Sequence, residues 1–333
     1  MPAVIIANLG ARRRWARVTN LAITGAAVFL VAATGLYNLF VGLSGPGAPI
    51  LPPAILIATA VIAAPVLFTP VRVGLAWLLP IDPESPITLL ALVALILIVG
   101  LQANYQAGHD ALAAVSRSAP LQPTDVIAQE LPILLLALLG VGAFTRRAPG
   151  AAMERLGVVR PAAWQVVTAL AVAGLFLALS QGAEGLQRLL DPALADRLNQ
   201  ATGHYYGNIN GVVGIAAIAL APGIAEEAFF RGALQPRLGI LLAALAFTAV
   251  HTQYALTLDT GLVFLLGCGL GLVRRLLNTT SSMVAHASYN ALAGLGIPAL
   301  LLPWALPAEG ILVLAAASLW WASSRSGADG QTP

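Results

Sequence analysis

The 333-residue chain has no lysine, one cysteine and little charge: its 17 basic residues are all arginine, and charged residues make up only 9% of it. Without lysine there is no Schiff base, no lysine nucleophile and no P-loop. A single cysteine, Cys268, cannot close an internal disulfide. It lies in an apolar run, where the reactive thiolate is disfavoured and plain packing is expected. Soluble domains carry about 25% charged residues, whereas this chain is 59% hydrophobic. So few charges cannot build a water-facing surface, so the bilayer must be the solvent for most of the molecule. The formal net charge is +3, but the arginines are scattered between apolar runs. They mark membrane topology and offer no basic patch for nucleic acid.

What is present is a succession of apolar segments long enough to span a bilayer. The expected fold class is all-α, a polytopic transmembrane helix bundle of about ten spans. They are expected near residues 20–43, 51–69, 86–102, 126–145, 162–181, 208–236, 239–254, 257–277, 281–297 and 303–323. The first follows Arg12, Arg13, Arg14 and Arg17 and is longer than the ~7–15-residue apolar core of a signal peptide. Gly and Pro punctuate the joints at 44–53, 80–86 and 298–307. With ten alternating spans most of the arginines fall on one side, which by the positive-inside rule places both termini in the cytoplasm. The expected location is the plasma (inner) membrane, as a multi-pass protein. Residues 1–150 read as an N-terminal bundle of about four spans, 151–323 as a core, and 324–333 as a disordered polar tail. Two long connections, 103–125 and 182–207, carry short amphipathic patterns that suit interfacial helices or a lid over a site.

The chemistry concentrates between Ala221 and Asn290. Ionisable side chains in a bilayer cost about 2.5 kcal/mol or more each, so they point to function by default. Glu227 and Arg231 are four residues apart and share a helix face, which suits a supporting ion pair. Glu226 points about 100° away and has no partner on its own helix. An unpaired carboxylate in a low-dielectric site suits a general base working near neutral pH. His251 and His286 lie on apolar segments, whereas His109 and His204 fall in the long connections. His286 and Asn290 are four apart, so an imidazole and an amide donor face the same way, as an oxyanion site requires. Phe247 stands one turn before His251, where it either packs or shapes a pocket. Gly267 and Gly271 suit close helix packing. With a helical rise of about 1.5 Å per residue, the depths of Glu226, His251 and His286 permit one shared cavity.

The order Glu-Glu-x-x-x-Arg (226–231), Phe-x-x-x-His (247–251) and His-x-x-x-Asn (286–290) resembles the CPBP family of intramembrane proteases. That family includes the CAAX prenyl endopeptidases and bacterial relatives linked to bacteriocin immunity. The resemblance covers about 160–297 and includes the Phe-Phe-Arg-Gly run ending at Gly232. It implies that Glu226, helped by His251, activates a water. His286 and Asn290 would hold the oxyanion, with Glu227 and Arg231 as support. The implied partners are a membrane-associated peptide or protein substrate and the lipid bilayer.

No cofactor is obligatory on this reading. A divalent metal such as zinc stays open, because Glu226, His251 and His286 are a familiar ligand set, although the compact His-Glu-x-x-His signature is absent. Two other readings stand beside the protease. One is a non-catalytic membrane immunity or scaffold protein. The other is a transporter using Glu226 and the histidines as a proton or metal relay, which the absence of internal repeats disfavours.

Overall fold

The computed structural model describes residues 1–44, 49–296 and 301–328. Parts of the expected joints at 44–53 and 298–307, and the last residues of the expected tail, lie outside them. The chain is all-α: among the described residues there is no β-strand, only an isolated bridge between Ala143 and Arg147. In order, α1 (Pro2–Leu9), α2 (Arg14–Leu43), α3 (Leu51–Ala63) and α4 (Thr69–Leu75) precede α5 (Pro86–Gly108), α6 (Ala111–Arg117), α7 (Pro123–Gly140) and α8 (Pro149–Leu156). They are followed by α9 (Ala163–Leu190), α10 (Pro192–Tyr205), α11 (Gly211–Glu226) and a π-helical stretch, Glu227–Leu234. Last come α12 (Gln235–Val250), α13 (Leu258–Leu276), α14 (Thr279–Leu295) and α15 (Leu302–Ala328). The final helix runs through Ala328, so residues 324–328 are helical, against the expectation of a disordered tail from 324.

The outside of the bundle is apolar and its inside is built from small residues. Phe29, Phe40, Trp77, Leu189, Val212 and Leu306 point outward with well over half of their surface exposed, the inverse of a soluble protein. The protein is an integral, multi-pass membrane protein. Six helices are long and apolar enough to cross a membrane, or seven if the pair Leu51–Leu67 and Thr69–Leu75, bent by 95°, forms one broken span. Ten were expected, and the difference has identifiable causes. The stretch Gly211–Val250 passes as one segment, yet it is broken at Gly239, whose φ of 82° and ψ of 174° are not helical. α13 includes Asp259, Arg274 and Arg275, and α14 has only 17 residues.

Gly239 is the turn that builds the site. Only glycine adopts its backbone angles without strain, and there the chain doubles back. Phe230 and Phe247 would be about 25 Å apart on a continuous helix, but their ring centroids are 5.3 Å apart, edge to face. Both rings belong to a core that also contains Leu92, Val93 and Leu238. A second cluster joins Ala137 and Val141 to Leu156, Ala228 and Ala233. Both clusters cross the expected boundary at residue 150, so α5 and α7 pack directly on the helices that carry the candidate site.

α11 and α14 approach each other through Gly223, where an added Cβ would lie 2.9 Å from the Ala287 Cβ and 3.1 Å from its Cα. Backbone at that distance cannot rotate away. Gly223→Ala is therefore expected to lower stability by about 1–3 kcal/mol through overpacking, read as a drop in melting temperature of the detergent-solubilised protein.

Candidate active site

α11, the π stretch, α12 and α14 converge on one cavity of about 670 Å³. Glu226, Phe247, His251, His286 and Asn290 all line it. Glu226 closes α11 and Glu227 opens the π stretch. A π-helical turn bonds i to i+5 and is frequent at functional sites. His251 stands just beyond the last residue of α12, in a non-helical conformation, not within a helix as its apolar flank suggested. α14 starts cleanly because the Asn278 side chain accepts a hydrogen bond from the Ser281 amide at 2.8 Å.

The two adjacent glutamates have different surroundings. Glu227 is fully buried and saturated with donors. Arg231 Nη1 donates to its Oε1 at 2.8 Å, His286 Nδ1 donates to the same oxygen at 2.9 Å, and the Ser282 hydroxyl donates to Oε2. Arg231 is itself buried; its Nη2 donates to the Gly267 carbonyl at 3.1 Å, and its guanidinium lies 4.3 Å from the centre of the Phe247 ring. The carbonyl of Gly267 thus belongs to this network, beyond the close packing that a glycine there permits. Glu226 is also buried, yet its Oε2 has no hydrogen-bond partner and lies 3.9 Å from His286 Nε2. One carboxylate is locked into the scaffold, and its neighbour faces the cavity unpaired.

Hydrogen bonds orient both imidazoles. A carboxylate or carbonyl oxygen can only accept, so His286 Nδ1 carries a proton towards Glu227 and turns Nε2 to Glu226. His251 Nδ1 likewise donates to the Phe247 carbonyl at 2.7 Å, which leaves Nε2 for the cavity. Phe247 sits between the rings, 4.3 Å from the centroid of His251 and 5.9 Å from that of His286. Asn290 Nδ2 donates to the Ile218 carbonyl at 3.0 Å, which uses one of its two amide hydrogens.

The two long connections pack on each other and supply part of the cavity wall, Leu121 from the first and Thr202, Tyr205 and Tyr206 from the second. α6 and α10 pack through Leu112, Leu198 and Ala201, and the Leu121 amide donates to the Tyr205 carbonyl at 2.8 Å. His204 Nε2 lies 2.8 Å from the Ser118 carbonyl, and Arg197 pairs with Asp110 at 2.6 Å. The Ala113 amide first, and Arg197 after it, hold the exposed Asp110 carboxyl below the usual carboxylate range. Thr202, Tyr205 and Tyr206 line the cavity, as do Tyr254 and Tyr289. Spacing alone did not single out Glu130 of α7, which lines the cavity with a buried Oε2 that lacks a partner.

Among the described residues no three His, Cys, Asp or Glu side chains form a group that could hold a metal ion. Glu226, His251 and His286 line one cavity but are not gathered about a point as ligands.

No curated protein and no solved structure matches the chain. Residues 208–292, which include all three sequence motifs, match the Rce1-like family model, described as type II CAAX prenyl endopeptidase, and this match supports a membrane-embedded protease.

Proposed function

We propose that the protein is an intramembrane endopeptidase of the plasma (inner) membrane that hydrolyses a peptide bond of a membrane-associated peptide or protein. The observation that carries this reading is the buried, unpartnered Oε2 of Glu226, facing the cavity 3.9 Å from His286 Nε2. In a low-dielectric cavity such a carboxylate is a ready proton acceptor. Glu226 takes a proton from a water that His251 Nε2 helps to hold. The hydroxide attacks the carbonyl carbon, and the negative charge moves to the carbonyl oxygen. The second amide hydrogen of Asn290 and a protonated Nε2 of His286 stabilise that oxyanion. Because Nδ1 already donates to Glu227, donation from Nε2 requires the imidazolium form. Glu226 then returns its proton to the amide nitrogen as the C–N bond breaks, giving a carboxylic acid and an amine, and proton exchange between the two leaves a carboxylate and an ammonium. Glu227 and Arg231 hold His286 in place and touch no reacting atom.

The test compares membrane peptides cleaved by the wild-type protein and by Glu226→Ala, reconstituted in lipid and read by mass spectrometry. Products that appear only with the wild type support the reading. The same products from both proteins would sink it. Within this mechanism Asn290→Ala removes one oxyanion donor and should lower kcat about 10²-fold with little change in KM. A KM effect alone would make Asn290 a substrate-binding residue.

A further inference from the structure

Apart from histidine and tyrosine, the ionisable side chains that line the cavity are all acidic. Glu130, Glu184, Glu226 and Asp259 line it, and among the described residues no arginine does, in a chain that carries 17 arginines against 14 carboxylates. The neighbouring arginines are engaged elsewhere: Arg188 with Asp196 at 3.2 Å and Arg197 with Asp110 at 2.6 Å. Of the four acids, Glu130 and Glu226 each bury an oxygen with no partner. A carboxylate in the first turn of a helix, such as Asp259, is ordinarily explained by the helix dipole. That explanation does not extend to Glu130, Glu184 or Glu226, each of which lies beyond the first turn of its own helix.

These acids are arranged by depth. The Leu270 carbonyl touches the Ser282 hydroxyl at the level of Glu227. Asp259 is eleven residues earlier on the same helix, about 16 Å away. Glu184 lies one turn beyond Ser180, whose hydroxyl meets the Tyr289 hydroxyl at 2.8 Å. Gly140 of α7 packs against Ala233. Glu130 is ten residues before Gly140 and Glu226 seven before Ala233, so Glu130 stands about one turn nearer the mouth. The acids thus lead from Asp259 and Glu184 to the proposed base, and ionised carboxylates within low-dielectric walls focus their field on an oppositely charged ligand.

Resting on the endopeptidase reading, we infer that the substrate of this cavity is a cationic peptide segment, with an Arg or Lys side chain about five residues from the scissile bond, held by Asp259 and Glu184 at the mouth. The spacing follows from the depth, since about 16 Å of extended chain is about five residues. Tyr205 and Tyr206 beside the path supply ring faces that a cation also favours.

The test uses the full chain in lipid nanodiscs and three membrane-anchored peptides that differ only in having arginine, glutamine or glutamate about five positions from the cleaved bond. The arginine peptide should be cleaved about 10-fold or more better than the glutamine peptide in kcat/KM, carried by KM, and the preference should shrink as salt rises. Glu184→Gln/Asp259→Asn should lose that preference. Glu184→Gln alone, at an exposed position, serves as the second variant if the double variant melts early. Equal cleavage of all three peptides would overturn the charge inference and leave the endopeptidase standing. Binding to Glu226→Gln is measured in parallel. Preferential binding of the arginine peptide without cleavage by the wild type keeps the charge selection and removes the endopeptidase, whereas neither cleavage nor preferential binding removes both.

Discussion

Glu226→Gln is expected to lower peptide cleavage by about 10²–10⁴-fold, the usual cost of losing a general base, while the protein stays folded. Gln has the shape of Glu and keeps most of its hydrogen-bonding capacity, but it cannot accept the proton of the attacking water. Folding should suffer little, because the wild-type Glu226 Oε2 is buried with no hydrogen-bond partner and has only the 3.9 Å approach of His286 Nε2. Removing a buried, unpaired charge is more often stabilising. The melting temperature of Glu226→Gln should therefore equal or exceed that of the wild type. Purified variants assayed for melting and for cleavage of one reporter peptide give both readings. Full activity in Glu226→Gln would end the proposed mechanism. Reversible loss of wild-type activity with a chelator would instead bring a metal into the chemistry.

Helical periodicity alone separates the two adjacent glutamates, because four-residue spacing puts Glu227 over Arg231 and leaves Glu226 without a local partner. The same spacing put His286 and Asn290 on one face of α14. What periodicity cannot carry is contact between distant segments. Glu130 is 96 residues before Glu226 and belongs to no spaced motif, so its place in the cavity depends on how α7 lies along α11. The saturation of Glu227 by His286 and Ser282 is equally tertiary. Spacing offers Arg231 or a helix neighbour as its partner, and the two further donors come from α14. The π stretch has no compositional mark, since Ala, Phe, Arg and Leu also occur in ordinary α-helices and a single Gly is tolerated there. Gly239 is the opposite case: the expected boundary between the spans 208–236 and 239–254 falls there, and its positive φ is the physical reason. The long connections 103–125 and 182–207 showed amphipathic spacing, but not that α6 and α10 would pack on each other.

Arg231→Ala should fail in a different way from Glu226→Gln. Arg231 and Glu227 are both buried, and the guanidinium also holds the Gly267 carbonyl and lies over Phe247. Its removal strands the Glu227 charge with only His286 and Ser282 as donors, and breaking a buried pair costs about 3–5 kcal/mol. Low yield and a lowered melting temperature are expected first, with loss of activity as their consequence. Replacing both partners separates the two effects. In Glu227→Gln/Arg231→Met neither buried charge remains, and apolar or neutral replacements for a buried ion pair are commonly neutral or stabilising. The melting temperature should recover most of what Arg231→Ala lost. Activity should not follow it, because a neutral amide accepts the His286 Nδ1 hydrogen bond more weakly than a carboxylate and orients the imidazole less firmly. Recovery of both stability and full activity would show that the ion pair serves folding alone. Failure to recover stability would show that the arginine acts through Gly267 and Phe247 and not through Glu227.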